Sequence, residues 1–424
     1  MEESERCAME ELPFEILIGL SEYSEPKELL TGLASTNRQF RALFADESYW
    51  EDRVRRSSKN YHAAVLDLNC NGDGNFWKKR SHRWEYIHKK FKWNRLTENL
   101  LGEEDQQFLG NFRALDFVAG GRCLAYVAKD RHCISVWVLG DDTASKQAPP
   151  HLLTYEDHDQ RVMSLRTQGE KISSGAFDGA IYIRDLDHLT GPPIQKLCST
   201  GFVMAHTWKD HSIVSTTRGG AVELFDTRAD EDPQMREKLF SPTEVCNDIK
   251  VQFKESPQVL LAGWDNGVRK LKLFDLRSQE VVAETEAATW NLSMHYGDER
   301  LFVGADKGRV MEYNATTLDL VADYSASFGH LANAGWLPDV AFLECVRSII
   351  YSDGHVFTAD LRQVKAHDLG RKPQLLWDQE IVFSELAFCP ERCMLAAAVG
   401  HTPDQIKLYR PTEPSKTDPC DPSP

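Results

Sequence analysis

KISSGAFDGAIYIRD, residues Lys171–Asp185, contains two alternating apolar runs on either side of Phe177-Asp178-Gly179. An Asp-Gly pair between such runs is the strongest short signal for a β-hairpin, because the turn requires backbone with positive φ. This stretch alone therefore predicts two antiparallel strands joined by a tight turn.

The same outline occurs seven times along the chain. The other copies are Cys123–Trp137, Ile213–Asp226, Leu260–Asp275, Leu301–Tyr313, Ile349–Asp360 and Met394–Tyr409. The spacing can be measured from one equivalent residue in each copy, at positions 137, 184, 225, 274, 313, 359 and 409. Successive copies are then separated by 47, 41, 49, 39, 46 and 50 residues. A hairpin repeated at a period in the forties is typical of the blades of a β-propeller. We therefore predict an all-β propeller of seven blades over residues 101–410.

The repeat, a small residue, then Asp-Gly and a closing aromatic-Asp pair, resembles the WD-repeat family. In that family a turn Asp, a loop His, a strand Ser or Thr and a Trp form a buried hydrogen-bonded set. The second repeat has counterparts of all four positions: Asp178, His158, Ser173 or Ser174, and Arg184 in place of the Trp. The resemblance implies that these residues are structural and not catalytic.

Composition limits the classes of function. The formal net charge of −16 argues against general nucleic-acid binding, which needs a positive field. The ten Cys include no CxxC pair, so we expect reduced thiols and neither disulfides nor a metal site. No long apolar run and no leader pattern occur, which predicts a cytoplasmic or nuclear protein without a membrane partner. Without GxSxG, P-loop or HExxH motifs, we expect no enzyme activity and no cofactor.

A second pattern occupies residues 12–55. It consists of Leu-Pro-x-Glu-Ile-Leu, a Leu-Leu pair, a third helix opening at Thr36 and a closing Trp50. This pattern resembles an F-box. The resemblance implies docking on the Skp-type adaptor of a cullin ubiquitin ligase through an apolar face made of Leu12, Pro13, Ile16, Leu17, Leu29 and Leu30. The alternative is a helical hairpin that packs on its own linker.

Residues 56–100 are predicted to be a linker with an amphipathic helix over Phe76–Arg95. Its apolar stripe comprises Trp77, Trp84, Ile87 and Phe91, and its other face is strongly basic. Three interpretations are open: a helix that buries its aromatics between F-box and propeller, a basic surface for nuclear import or an acidic partner, and a membrane-surface helix.

The remaining segments carry three further predictions. We expect residues 1–11 to be disordered, and the Pro-rich residues 411–424 to form a disordered tail. A segment somewhere in Lys92–Leu109 is predicted to pair with the last blade, because an unclosed propeller would leave exposed strand edges.

The loops before the first strand of each blade are expected to converge at one mouth of the central channel. The repeat register places Arg113, Arg161, Phe202, Asn247, Trp290, Trp336 and Glu380 at these positions. Arg and Trp are the residues best able to anchor a partner. Arg161 and Arg218 are candidates to hold an acidic or phosphorylated peptide.

Together the two resemblances imply the substrate-recognition subunit of a Skp–cullin–F-box (SCF) ubiquitin ligase. Such a subunit is not catalytic; it holds a protein substrate near the ubiquitin-charged enzyme and so raises the effective concentration. The alternative is a WD-repeat scaffold that bridges partners without a role in ubiquitination.

Overall fold

The computed structural model describes residues 29, 38–57, 77–78, 81, 96–101, 112–128, 131–139, 151–186, 191–228, 235–238, 250–255, 258–265, 267–287, 293–305, 309–324, 346, 348–352, 355–359, 363–368, 374–378, 383–390, 392, 394–399 and 405–411. Contacts divide the chain into two compact units. The first holds residues 1–96, 369–371 and 411–424, and the second holds residues 97–368 and 372–410.

Two short helices define the described part of the first unit: α1 (Arg38–Ala45) and α2 (Glu47–Ser57). Asp46 separates them and its carboxylate accepts a hydrogen bond from the Ser48 N–H (2.9 Å), which caps α2. The hydrogen bonds from Ser48 hold the pKa of Asp46 below its usual value. The helix predicted to open at Thr36 is thus present from Arg38, and Thr36 itself lies outside the described residues.

Aromatic side chains hold α1 and α2 together. Phe40 and Trp50 are fully buried, and the rings of Phe44 and Trp50 lie 5.9 Å apart. The indole N–H of Trp50 donates to the Phe44 carbonyl (3.0 Å), so its one polar group is satisfied inside the cluster. The Glu47 carboxylate accepts the backbone N–H of Trp77 (2.8 Å), and Trp77 is 5% exposed. The first residue of the predicted aromatic stripe is therefore buried; Trp84, Ile87 and Phe91 lie outside the described residues.

The second unit is built of β-strands. In chain order they are β1 (Leu96–Leu101), β2 (Phe112–Val118), β3 (Cys123–Ala128), β4 (Ile134–Val138), β5 (His151–Tyr155), β6 (Val162–Gln168), β7 (Lys171–Ala176), β8 (Ala180–Asp185), β9 (Gln195–Cys198), β10 (Val203–Lys209), β11 (Ser212–Thr217), β12 (Ala221–Asp226), β13 (Met235–Lys238), β14 (Lys250–Glu255), β15 (Gln258–Asp265), β16 (Val268–Asp275), β17 (Glu280–Glu286), β18 (Ser293–Gly297), β19 (Arg300–Gly304), β20 (Val310–Asn314), β21 (Leu320–Asp323), β22 (Ser348–Ser352), β23 (His355–Ala359), β24 (Gln363–Asp368), β25 (Gln374–Asp378), β26 (Phe383–Cys389), β27 (Met394–Val399) and β28 (Gln405–Pro411). A 3₁₀ turn, Ala119–Gly121, follows β2.

These strands form seven four-stranded sheets in the described part of the chain. The first strands of the sheets are β2, β6, β10, β14, β18, β22 and β26, and each contacts the first strand of the next sheet, with β26 returning to β2. The ring of sheets is therefore closed around its first strands. The β-propeller predicted from the repeats is confirmed.

The ring is closed by a strand from outside the hairpin repeats. β1 lies beside β28 as the outer strand of the sheet β1-β28-β27-β26. Residues 96–101 fall within the predicted segment Lys92–Leu109, so that prediction is confirmed. Pairing the two ends of the propeller chain leaves no exposed edge on β28.

The core lies between neighbouring sheets. Between the first two sheets, for example, Val136 and Ala125 pack with Leu165 and Ile172, and all four are at most 1% exposed. Middle strands are buried on both faces, as in β7, where every residue after Lys171 is buried. In the hairpin Lys171–Asp185, Gly179 has φ +79°, the conformation that the Asp-Gly turn requires.

The second blade contains the hydrogen-bonded set that the WD-repeat resemblance implies. His158 is 2% exposed, and its ring nitrogens contact the Asp178 carboxylate (2.8 Å) and the Ser174 hydroxyl (2.9 Å). Arg184 occupies the Trp position and makes a different contact: its guanidinium donates two hydrogen bonds to the Asp157 carboxylate (2.5 Å each). The guanidinium also lies 4.2 Å from the ring centroid of Tyr155. A charged, bidentate pair thus replaces the indole.

The strand order of the sixth blade differs from the prediction. The repeat register predicts that the hairpin Ile349–Asp360 has the same place in its blade as the other six copies, which form the second and third strands of their sheets. In the structure its halves are β22 and β23, the first and second strands, paired from Ser352↔His355 to Ser348↔Ala359. Alternation around Asp-Gly signals a hairpin but not its position within a blade. As a consequence Trp336 does not immediately precede the first strand, which begins at Ser348.

Candidate functional site

A β-bulge occurs at the start of several first strands. The strand register shifts between Phe112 and Ala114, between Val162 and Ser164, between Val203 and Ala205, and between Phe383 and Glu385. An extra residue at a bulge bends the strand and re-aims its side chain, which is why bulges are common beside binding sites. Arg113 is the extra residue in the first blade and lines the central channel.

Two neighbouring blades bring four residues together at the edge of the ring where the first strands β6 and β10 begin. We call Arg161, Phe177, Phe202 and Arg218 the mouth patch. The Phe177 N–H donates to the Arg161 carbonyl (3.0 Å), and the Arg218 N–H donates to the Phe202 carbonyl (3.0 Å). The rings of Phe177 and Phe202 lie 5.6 Å apart. Backbone hydrogen bonds and ring contact therefore fix the patch to the rigid strands.

The mouth patch combines an apolar anchor with positive charge. Phe202 is 44% exposed, which is unusual for a large aromatic side chain. Arg161 and Arg218 are also exposed. An exposed aromatic ring beside arginines can bury apolar area of a partner while the guanidinium groups pair with carboxylate or phosphate.

A cavity of about 540 Å³ occupies the centre of the ring and is lined by the first strands of all seven blades. Its charged and titratable lining residues are Arg113, Asp116, Arg166, Lys209, Lys250, Lys254, His295 and Glu385. Lys254 also contacts Thr316 and Glu299. The channel is therefore polar and carries more basic than acidic side chains.

Burial shifts the acids of the channel toward neutral pH. Loss of solvent raises the pKa of Asp116 to about 6, against the opposing attraction of Arg166. Loss of solvent likewise raises the pKa of Glu385 to about 7, although Lys250 and Arg113 oppose the rise. Burial lowers the pKa of His295 to about 4, and nearby Arg166 adds to that effect. Near neutral pH the histidine is therefore uncharged, and the two acids bind protons at a higher pH than exposed carboxyls do.

We expect Glu385→Gln to stabilise the propeller at alkaline pH. The pKa of Glu385 in the folded protein is about 7, above the ordinary glutamate value of 4.5, so the folded state binds the proton more tightly than the unfolded chain. The free energy of unfolding of the wild-type protein therefore falls as pH rises from about 4.5 to 7. Glutamine does not ionise, so the Glu385→Gln variant avoids this loss. We expect the variant to exceed wild type by about 2 kcal/mol near pH 8 and to match it near pH 5. Urea titration at both pH values measures this, and an equal difference at both would contradict it.

The other predicted mouth residues could not be placed. Asn247, Trp290, Trp336 and Glu380 lie outside the described residues. Sequence reasoning missed Phe177, which was interpreted only as part of a turn, and missed the channel residues Asp116, Arg166, Lys250, His295 and Glu385. An alternating strand does not by itself show which face borders a channel.

The predicted adaptor-binding face lies almost wholly outside the described residues, which exclude Leu12, Pro13, Ile16, Leu17 and Leu30. Leu29 is described and is 0% exposed. Its side chain is thus covered by the chain itself in this conformation.

No group of three or more His, Cys, Asp or Glu side chains among the described residues has the arrangement of a metal site. No helix in the described ranges is both long and apolar enough to cross a membrane.

Comparison with known proteins supports the fold and not a family. No family model matches the chain, and no curated protein matches it. Among solved structures, the β-propeller domain of Cps50 (Swd1) from Myceliophteria thermophila is similar with a TM-score of 0.56 and 16% identity, covering 74% of this chain and all of that one. A chain in a crystal structure of the mitotic checkpoint complex has a TM-score of 0.53 and 18% identity, covering 74% of this chain and 90% of its own length. At these identities the likeness establishes a β-propeller.

Proposed function

We propose that the chain is a non-catalytic substrate-recognition subunit of an SCF ubiquitin ligase in the cytoplasm or nucleus. The propeller binds a protein substrate at the mouth patch, and the F-box-like residues 12–55 bind the Skp-type adaptor. The observation that carries the binding role is the exposed Phe202 between two exposed arginines on a closed ring.

Protein binding agrees with the physical character of the mouth patch. Tyr, Trp, Phe and Arg are enriched at interface centres, where an aromatic ring supplies area and a guanidinium supplies directed hydrogen bonds. The negative net charge of the chain as a whole makes a local pair of exposed arginines a selective feature for acidic segments. One of the similar propellers was solved within a protein complex, the mitotic checkpoint complex.

The adaptor-binding role rests on the F-box resemblance and on the packing of α1 and α2. The aromatic cluster of Phe40, Phe44 and Trp50 gives the C-terminal part of that pattern a buried core of its own. Small helical units bury only a small fraction of their surface on folding, so such a unit gains stability from a bound partner.

A scaffold without a ligase role is the second candidate, and the burial of Leu29 favours it. An adaptor can use only side chains that it can reach. If the neighbouring leucines are covered in the same way, the N-terminal helices are a packing module, and the propeller alone binds partners.

Affinity capture of the full chain from cells under proteasome inhibition distinguishes the two functions. The ligase proposal expects adaptor, cullin and a ubiquitinated partner in the same complex, and expects the partner to accumulate when this protein is depleted. Recovery of a partner without adaptor or cullin, at unchanged cellular level after depletion, would establish the scaffold instead.

A further inference from the structure

The central channel holds charges that the proposed protein-binding role does not use. Arg113, Arg166 and Lys250 carry permanent positive charge and lie on three different first strands. They face two carboxyls, Asp116 and Glu385, whose electrostatic partners include Arg166 for both. Lys209 adds a fourth cation to the lining. The basic groups therefore outnumber the acidic ones even when both acids are ionised.

The size and wall of the channel suit a small molecule better than a protein segment. Its volume of about 540 Å³ falls in the usual range for small-ligand sites. The charges project from paired strands of the closed ring, as with Arg166, which pairs with Ser173 of β7. The site is therefore preformed, and its charges are not carried on rim loops that could adapt to a folded partner.

We propose that the central channel binds a small polyvalent oxyanion, a molecule with several phosphate or carboxylate groups, through Arg113, Arg166 and Lys250. Guanidinium groups pair with such oxygens in a bidentate manner, and a lysine adds a point charge. The cations come from blades one, two and four, so a ligand that contacts all three links separate blades across the ring. This site goes beyond the proposed function and does not depend on it.

His295 supplies an independent indication of a ligand. Its Nδ1 atom is inaccessible and has no hydrogen-bond partner among the described residues. Buried polar atoms in native proteins nearly always have a hydrogen-bond partner. An unpaired ring nitrogen in a cavity wall therefore indicates that a bound molecule supplies its partner. His295 lines the channel, so the proposal assigns a bound oxyanion as the partner of this nitrogen.

The acids of the channel give the site a pH dependence with a defined sign. Glu385 faces Lys250, Arg113 and Arg166 and receives a hydrogen bond from Ser348; Asp116 faces Arg166 and Thr167. Protonation of the two acids, with pKa values of about 7 and 6, removes negative charge from the site. Because His295 stays neutral above about pH 4, the two acids alone among these three groups set the pH dependence between about pH 5 and 8. Anion affinity therefore rises as pH falls.

Isothermal titration calorimetry on the full chain tests the proposal with two small probes and one peptide. The probes are inorganic triphosphate, citrate and a short poly-glutamate peptide, at constant ionic strength. The variants are Arg113→Gln and Lys250→Gln, with Arg277→Gln as matched control, since Arg277 lies on the exposed turn after β16. Glu385→Gln mimics the protonated acid.

We expect saturable 1:1 binding of triphosphate, citrate or both, and the stronger of the two identifies phosphate or carboxylate as the ligand chemistry. Arg113→Gln and Lys250→Gln should each weaken the affinity about tenfold or more, and Arg277→Gln should not change it. Glu385→Gln should strengthen binding near pH 8 about tenfold, a gain that misfolding cannot produce.

Four results would overturn the proposal: no saturable heat with either small anion, binding of the peptide alone, an equal loss in the Arg277 control, or no gain in Glu385→Gln. None of these bears on adaptor or substrate capture, so the proposed function and this site can fail separately.

Discussion

Replacing Glu312 by leucine is expected to lower the free energy of unfolding by about 3–5 kcal/mol. Glu312 on β20 and Arg300 on β19 form an ion pair of 2.7 Å, and their side chains are 1% and 4% exposed. Removing the carboxylate leaves the guanidinium buried without its counter-charge. The cost of that state exceeds the value of an ordinary hydrogen bond.

The groups around the ion pair make the stability of the protein depend more strongly on Glu312. The Nε and Nη2 atoms of Arg300 have no hydrogen-bond partner within the described ranges. The Tyr324 hydroxyl donates to the other oxygen of Glu312. Burial raises the pKa of Tyr324 above its usual value, and the hydrogen bond to Glu312 raises it further. One carboxylate thus contacts two other strand regions, as the counter-charge of Arg300 and as the acceptor for Tyr324, and its Oε1 makes no hydrogen bond within the described ranges.

A triple variant separates the charge from the packing. Arg300→Met with Glu312→Leu and Tyr324→Phe removes both charges and the hydroxyl that donates to Glu312 at similar volume, and we expect stability within about 1 kcal/mol of wild type. Glu280→Leu, at an exposed position of β17, is the control and should change stability by about 0.5 kcal/mol or less. Urea titration at neutral pH measures all four proteins. A loss below about 1 kcal/mol in Glu312→Leu alone would show that the charge on Arg300 is solvated by another route.

Charge reversal at the mouth patch is expected to abolish partner capture. In Arg161→Glu with Arg218→Glu, two attractive charges become repulsive toward an acidic segment, and affinity should fall about a hundredfold or more. Phe202→Ala keeps the charges and removes the apolar anchor, so a fall of about tenfold is expected. Wild-type binding should also weaken with added salt, because the arginines are exposed.

The control for the mouth variants is Arg277→Glu, an equal change of charge on an exposed turn. Each protein is immobilised on a surface, and its affinity for the partner segment recovered from cells is measured. If the double variant retains the affinity of the Arg277 control, the partner binds elsewhere on the ring.

The hairpins could be predicted from the sequence because each has a local signal, and the closing strand because an unclosed ring would leave exposed strand edges. Asp178-Gly179 requires positive φ at one residue, and the structure has it at Gly179. The sixth blade shows the limit of such signals: the turn before His355 predicts a hairpin correctly and leaves its place in the sheet undetermined. Strand order follows from long-range pairing, which a single window of sequence does not contain.

The candidate site was predictable only in part, for a related reason. Arg161 and Phe202 follow from the repeat register and Arg218 lies in the hairpin turn of the third repeat, whereas Phe177 reaches Phe202 through a contact between blades. Arg166 and Glu385 look like ordinary strand residues in sequence. Their channel position depends on ring closure and, for Glu385, on the bulge that shifts the strand register just before it.

Adaptor binding tests the central claim most directly. The full chain and a Leu12→Ala, Pro13→Ala, Ile16→Ala variant are each mixed with purified Skp-type adaptor, after circular dichroism confirms that both are folded, and bound adaptor is quantified. The proposal predicts a stoichiometric complex with wild type and little or none with the variant. Equal, negligible recovery from both would contradict it and leave a propeller scaffold.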